Sequence, residues 1–196
     1  MTKILYFLLT FLESGLAIFG IRAPFEQPSY QVIGHLGDGV EIRTYGPSVV
    51  VETATGGDAF SRLFHYIAGA NRRDETIAMT APVVSHGGAL GRPAAGPDPV
   101  STPVMRFFLP RKIADNPPKP TDPAVHIVDL PSRTVAALRF SGPLDAASIA
   151  DHAKQLRATL AAAHRATVGA AYVLGYDPPF TIPFLRRNEV AIDLAT

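Results

Sequence analysis

Val40-Glu41-Ile42-Arg43-Thr44-Tyr45-Gly46-Pro47-Ser48-Val49-Val50-Val51-Glu52-Thr53-Ala54-Thr55 is the stretch whose reading decides the fold. Val40 to Tyr45 alternates apolar and polar residues, the period of a half-buried strand. Gly46-Pro47 turns the chain, and the β-branched residues 49–55 read as a second strand. Gly56-Gly57-Asp58 ends it, with Asp58 placed to cap a helix. Phe60, Leu63, Phe64 and Ile67 then fall at i, i+3, i+4 and i+7, one face of a helix expected to end near Gly69-Ala70-Asn71. Residues 77–84 and 104–109 are the expected third and fourth strands. Residues 86–103, rich in Gly, Ala and Pro with little to bury, read as a mobile loop.

The same order recurs further on. Residues 110–123 carry five prolines and form a semi-rigid connector. Residues 125–130 and 134–141 read as strands around the Pro131-Ser132 turn. Gly142-Pro143-Leu144-Asp145 leads into a long helix with an apolar stripe of Ile149, Ala153, Leu156 and Leu160. Residues 171–176 and 189–194 complete the set. Both halves read strand, strand, helix, strand, strand, offset by about 85–87 residues. That order predicts an α+β fold: a mostly antiparallel sheet or open barrel of about eight strands, one face buried against two helices.

The 196 residues suggest one domain, with or without a leader. Hydrophobic residues at 47% and charged residues at 18% support a substantial core. A net charge of +1 provides no global reason to expect a nucleic-acid partner. The absence of cysteine excludes disulfides, thiolate nucleophiles and a lipoprotein anchor. Nothing in the sequence predicts an oligomer. Lys3 precedes an apolar run from Ile4 to Ile21, interrupted by Glu13-Ser14-Gly15. Residues 1–23 therefore read as a signal peptide or membrane anchor, and residues 24–196 as the folded domain. The expected location is exported or membrane-anchored, with membrane association through residues 4–21. A buried amino-terminal helix is the alternative.

Six histidines, at 35, 65, 86, 126, 152 and 164, form no His-Glu-x-x-His pattern or other metal spacing. His86-Gly87-Gly88-Ala89 has the look of an esterase oxyanion loop, but no Gly-x-Ser-x-Gly elbow accompanies it. Phosphate-cradling glycine motifs are absent as well. Arg186-Arg187 offers two guanidinium forks for an anion; equally, one of them pairs with Glu189 or Asp177 and fixes the turn. Phe60 and Phe64, one helical turn apart beside Leu63, are either ordinary core or a shelf for a ligand. His65, at the edge of that stripe, ligates iron, contacts a ligand carboxylate or is simply solvated.

Several runs together resemble the SOUL haem-binding protein family: Glu41 to Pro47, Tyr66 to Asn71, Met79-Thr80-Ala81-Pro82-Val83, Gly175-Tyr176-Asp177-Pro178-Pro179 and Arg186-Arg187-Asn188-Glu189-Val190. The resemblance runs from about Pro28 to the end of the chain. It implies a pseudo-two-fold distorted antiparallel barrel and reversible binding of haem or another tetrapyrrole as cofactor. In members without an axial ligand, the porphyrin rests on the first helix and basic side chains approach its propionates. Carried over, the ligand-binding residues are Phe60, Leu63, Phe64 and His65, with Arg186 and Arg187 as further propionate partners. His65 is also the candidate haem-iron ligand. A ligating histidine that some members carry before the early Tyr-Gly-Pro is replaced here by Thr44. A basic residue that some carry after Asp-Pro-Pro falls at Thr181-Ile182.

The resemblance thus implies weak, non-covalent haem or porphyrin binding for carriage, buffering or sensing, without catalysis. Two other readings stay open. One is a hydrolase or effector-binding domain on the same barrel, with Glu41, Tyr45, Tyr176 and Glu189 as candidate site residues. The other is an envelope interaction module whose pocket is vestigial, favoured by Thr44 and the missing basic positions.

Overall fold

The computed structural model describes residues 25–86, 103–178 and 180–195. The leader expectation and residues 87–102 of the expected loop lie outside the described residues. Among the described residues no helix is long and apolar enough to cross a membrane.

Among the described residues nine strands form one antiparallel sheet: β1 (Tyr30–Leu36), β2 (Val40–Tyr45), β3 (Ser48–Ala54), β4 (Val83–His86), β5 (Val104–Phe108), β6 (His126–Leu130), β7 (Arg133–Phe140), β8 (Thr167–Gly175) and β9 (Asn188–Leu194). Three helices accompany them: α1 (Ala59–Ile67), the single-turn α2 (Arg111–Ala114) and α3 (Ala146–Ala162). The spatial order is β1-β2-β7-β9-β8-β4-β5-β3-β6. Leaving β1 aside, reversing this order exchanges β2 with β6, β3 with β7, β4 with β8 and β5 with β9. The duplication expected from the element order is therefore present in space, centred on the β4–β8 pair. The halves interlock, because β2 pairs with β7 and β3 with β6.

The sheet is not closed, and it has nine strands where about eight were expected. The addition is β1. Its Val32 and Ile33 are both exposed, and its pairing with β2 slips between Val32 and Gly34, so it shows no clean period of two. The third strand is also shorter and later than the expected 77–84. Pro82 has no N–H for a ladder, and Thr80 instead bridges to Glu26. Ile77 is buried beneath α1, its N–H donating to the Ile67 carbonyl at 2.7 Å.

Both faces of the sheet are buried, not one as expected. Successive residues of a strand point to opposite sides, and successive apolar residues here join different clusters. Val50, Val84, Phe108, Val135, Ala137 and Ala191 pack on the inner face with Tyr45, Tyr172 and Tyr176. Val51, Val83 and Phe107 pack on the other side beneath α1. Ala136, Leu138, Val190 and Ile192 pack beneath α3.

Helix α3 keeps its expected stripe, with Leu156 and Leu160 fully in the core and Asp145 capping the Ser148 N–H at 2.8 Å. Helix α1 departs from expectation twice. Asp58 makes no side-chain cap; its carboxylate pairs with Arg62 one turn on, at 2.7 Å. The buried residues are Ala59, Leu63, Tyr66 and Ile67, while Phe60 and Phe64 stay outside. Asn71 ends the helix: its amide donates to the Tyr66 and Glu75 carbonyls and accepts from the Arg73 and Glu75 N–H groups.

Leu63→Ala is therefore expected to lower stability by about 2–5 kcal/mol. Phe64→Ala, at a half-exposed position, should stay within about 1 kcal/mol. Urea unfolding followed by circular dichroism measures both.

Candidate functional site

The helix-bearing side of the sheet carries a groove of about 610 Å³ between the two halves. The first half contributes Gly56 and Gly57 before α1, Phe60 on its first turn, and Met79, Val83 and Met105. The second contributes Leu144 before α3, and Gly175, Tyr176, Pro178, Phe180, Arg186 and Asn188 around the β8–β9 connection. Val83 and Gly175 face each other in the central β4–β8 ladder, so the floor is the rigid middle of the sheet. The walls are mostly apolar. Arg186, Asn188 and Asp177 are the polar groups at the second-half side. Arg186 is positioned by its Nε, which donates to the Thr181 carbonyl at 2.7 Å. Asn188 holds the loop before α3 through its amide, which donates to the Gly142 carbonyl at 3.1 Å.

The residues expected at a site separate into three sets. Phe60 and Arg186 line the groove. Phe64 lies on the next turn of α1 and stacks on Phe60, ring centres 6.2 Å apart, while Phe60 meets core Phe107 edge-on at 5.2 Å. His65 is exposed in the last turn of α1 and is not among the groove residues. Leu63 is fully buried and presents no surface to a ligand. Arg187 points the other way: its guanidinium bonds Glu189 at 2.7 and 3.0 Å and lies 3.8 Å over the Tyr176 ring. Its backbone N–H donates to Asp177 at 2.5 Å. Of the adjacent arginines, one fixes the turn and the other borders the groove.

Sequence reasoning missed Met79, Leu144, Tyr176 as a wall, and Phe180. Met79 and Tyr176 stood inside quoted motifs without an assigned contact. Phe180 carried a local signal, an aromatic following a double proline.

Beneath the second-half wall lies a buried ionic cluster on the inner face of the sheet. Arg43 of β2 reaches Glu189 of β9 with two bonds of 2.6 and 3.1 Å, passing β7 where Ala137 is small. Arg43 Nε also bonds Glu41 at 2.8 Å, and Tyr30 lies against its guanidinium at 4.5 Å. Tyr176 donates its hydroxyl to Glu189 at 3.1 Å. Burial alone would raise the Glu189 pKa; hydrogen bonds and charge from Arg43, then Arg187, outweigh it and hold the carboxyl below its ordinary value. Burial, followed by the charge of Glu189, pushes the Tyr176 phenol well above its ordinary range. Burial likewise raises Tyr45.

Glu41, Tyr45, Tyr176 and Glu189 thus do come together, but as a saturated structural network. A general base near neutral pH needs a raised carboxylate, and Glu189 is shifted the opposite way. Among the described residues no group of three or more His, Asp or Glu is placed to hold a metal ion.

A second polar chain crosses the inner face nearer the far end of β4. Glu52 bonds Arg106 at 2.7 Å, and Arg106 meets His86 Nε2 at 3.0 Å. His86 stacks on Tyr172, ring centres 4.6 Å apart. Burial, then the charges of Arg106 and Arg133, lower the His86 pKa to about 4, so its ring is neutral and accepts from Arg106.

An interlocked antiparallel frame with an apolar groove between its halves and a few convergent polar groups is the build of a small-molecule-binding domain. The chain belongs to the SOUL haem-binding family, whose model, described as SOUL heme-binding protein, matches residues 25–193. It is 32% identical over 163 residues to Heme-binding protein 1 of Xenopus tropicalis, covering 78% of this chain and 83% of that one. It is 31% identical over 163 residues to Heme-binding protein 2 of Homo sapiens, covering 76% and 75%. Among solved structures, the C-terminal domain of EcmrR shares the fold at a TM-score of 0.55 and 11% identity, covering 85% of this chain and 98% of that one. A hydrolase from Listeria innocua does so at 0.56 and 8% identity, covering 82% and 93%. At such identities the likeness is one of fold alone.

Two outcomes follow from the buried groups. Glu189→Gln removes the fully buried counter-charge of Arg43 and leaves it only the part-exposed Glu41, and should cost about 3–5 kcal/mol at neutral pH. The Glu189 contribution is complete above pH about 4.5 and is lost as pH falls through its lowered folded value. For His86, the unfolded chain takes up a proton below pH about 6.5 that the folded chain refuses until about 4. Stability should therefore decline as pH drops through that window. His86→Gln, which keeps an acceptor for Arg106, should flatten the decline. Urea midpoints measured from pH 7 to 3 check both.

Proposed function

We propose that this protein binds haem or a related tetrapyrrole non-covalently in the groove between α1 and the β8–β9 connection, for carriage, buffering or sensing. The observation that carries this reading is the groove itself. It is apolar, of small-molecule size, walled by Phe60 and Phe180 with Arg186 on its polar side, and it lies in a member of the SOUL haem-binding family. A porphyrin is a broad apolar plate with two carboxylates, so it requires flat hydrophobic contact and one or two cationic or amide donors. The residues present meet those requirements.

They also favour weak binding. Among the described residues lining the groove there is no histidine or cysteine. The Met79 thioether is of a type that ligates haem iron. The Tyr176 phenol also lines the groove, but it donates to Glu189 and stays protonated, so it is not poised as a phenolate ligand. When bound, iron supplies the ligand and redox chemistry; the chain supplies a shelf, a cation and exclusion of water. Without a strong axial ligand, micromolar affinity is expected, about −8 kcal/mol, with little preference for haem over metal-free porphyrin. The Heme-binding protein 1 and 2 relatives support a binding role over a catalytic one. The apolar run of residues 4–21 supports an exported or membrane-anchored location.

Titration with haemin, followed at the Soret band, should give a saturable shift at one equivalent. Phe60→Asp should weaken it at least tenfold while the circular dichroism spectrum is unchanged. Arg186→Gln should weaken it several-fold, and that loss should vanish with a porphyrin whose carboxylates are esterified. The reading fails if no saturable shift appears with the unsubstituted protein.

A further inference from the structure

We propose that the mouth of the groove is a membrane-docking face: Phe60, Phe64, Phe180 and Phe184 seat in the lipid interface, and the groove opens directly onto the bilayer that holds residues 4–21. The inference deepens the reading of the groove as a binding site for an apolar ligand, and takes residues 4–21 to remain attached as a membrane segment.

Two independent observations converge on it. The first is where exposed apolar side chains lie. Eight large ones are exposed among the described residues; two of them, Phe60 and Phe180, line this groove, and three more, Phe64, Phe184 and Leu185, adjoin its lining residues in space or in sequence. Phe60 and Phe180 line it, Phe64 stacks on Phe60, and Phe184 and Leu185 immediately precede groove-lining Arg186. Phe184 is the most exposed of all, at 72%. Single exposed apolar residues are ordinary, whereas a cluster rimming a concave site marks an interaction face. Phenylalanine has no polar tip to satisfy in water, and aromatic and aliphatic residues of this kind seat surface elements in the headgroup–acyl boundary.

The second observation is where the chain enters the domain. Phe25, the first described residue, itself lines the groove. Ile21, the end of the apolar run, is four residues earlier, a distance of at most about 14 Å in fully extended chain. The run from Ile4 to Ile21 carries a single charge, Glu13, over a length at which a bilayer span is expected, and Arg22 follows it as an interfacial cation would. A membrane holding residues 4–21 would therefore lie within that reach of Phe25, itself a groove residue. A flat, poorly water-soluble ligand would pass between lipid and groove without crossing bulk water.

The chain contains no tryptophan, so one substitution creates a unique fluorescent reporter. Full-length chains carrying Phe184→Trp, Phe64→Trp or Val168→Trp would be reconstituted into phosphatidylcholine vesicles with and without brominated acyl chains. Val168 is the control: it is exposed at the start of β8, seven residues from groove-lining Gly175, about 23 Å along the strand. Emission from the reporters at 184 and 64 should be quenched several-fold more by brominated lipid than emission from 168. Equal quenching at all three positions would overturn the proposal. So would no quenching in vesicle-bound protein, or a chain that does not sediment with vesicles. A blue shift at 184 without lipid quenching would mean that another segment, such as residues 4–21, fills the groove, and would overturn it too. Haemin titration of the same chains reports ligand binding separately, so a failed docking face is distinguishable from a failed binding site.

Discussion

The Arg43–Glu189 pair is the constraint around which this molecule is arranged. It joins residues 146 positions apart, one from each half, on the inner face of the sheet. Charges so buried are tolerated only when every polar atom has a partner, and the neighbourhood supplies them. Arg187 and Tyr176 complete the coordination of Glu189, while Glu41 and Tyr30 flank Arg43. The small side chains of Ala137 and Ala191 on the same face leave room for the pair. Because Arg187 and Tyr176 belong to the segment that also forms a groove wall, the wall inherits its position from the ion pair. The arrangement also assigns the neighbouring arginines: a guanidinium committed to Glu189 leaves the position before it to face the groove.

The duplicated element order was legible because it rests on patterns that local physics enforces: alternation in β2, turn residues at Gly46-Pro47, and the stripe and Asp145 cap of α3. Less legible was anything that depends on what lies across the sheet. Val49-Val50-Val51 and Val135-Ala136-Ala137-Leu138 are apolar without interruption because both faces of their strands are covered, a property of the third dimension. β1 was invisible because its slipped register breaks the period. On α1, the i, i+3, i+4, i+7 rule selected the correct helix but not its inward direction. Leu63 and Ile67 of that set turn inward with Tyr66, and Phe60 and Phe64 turn outward. Of the expected site residues, Phe60 and Arg186 stand at the groove and Leu63 and Arg187 are occupied elsewhere, while Met79, Leu144 and Phe180 become neighbours only once the halves interlock.

The groove draws on both halves and belongs to neither. Its floor is the central ladder, among the least deformable parts of the sheet, and its walls are a helix start and a turn stiffened by Pro178 and Pro183. Such a site requires little ordering when it is filled, so little of the contact energy is lost to fixing the walls. The arrangement also separates stability from binding. The ionic cluster and the three core clusters hold the frame, while the exposed aromatics contribute little to it.

The exchange of first strands between the halves has a consequence for what this chain is as an object. β2 lies in the second half's sheet and β6 in the first's, so the fold is built as a strand-exchanged dimer is built, with its two protomers written in one polypeptide. In a true dimer of that kind, folding would depend on protein concentration. Here the connection through residues 110–123 keeps the partner permanently at hand, and assembly becomes an intramolecular event. Symmetry need not then be preserved, and one half is free to place exposed phenylalanines on its helix while the helix of the other carries none. An asymmetric site on a two-fold frame is what that freedom permits.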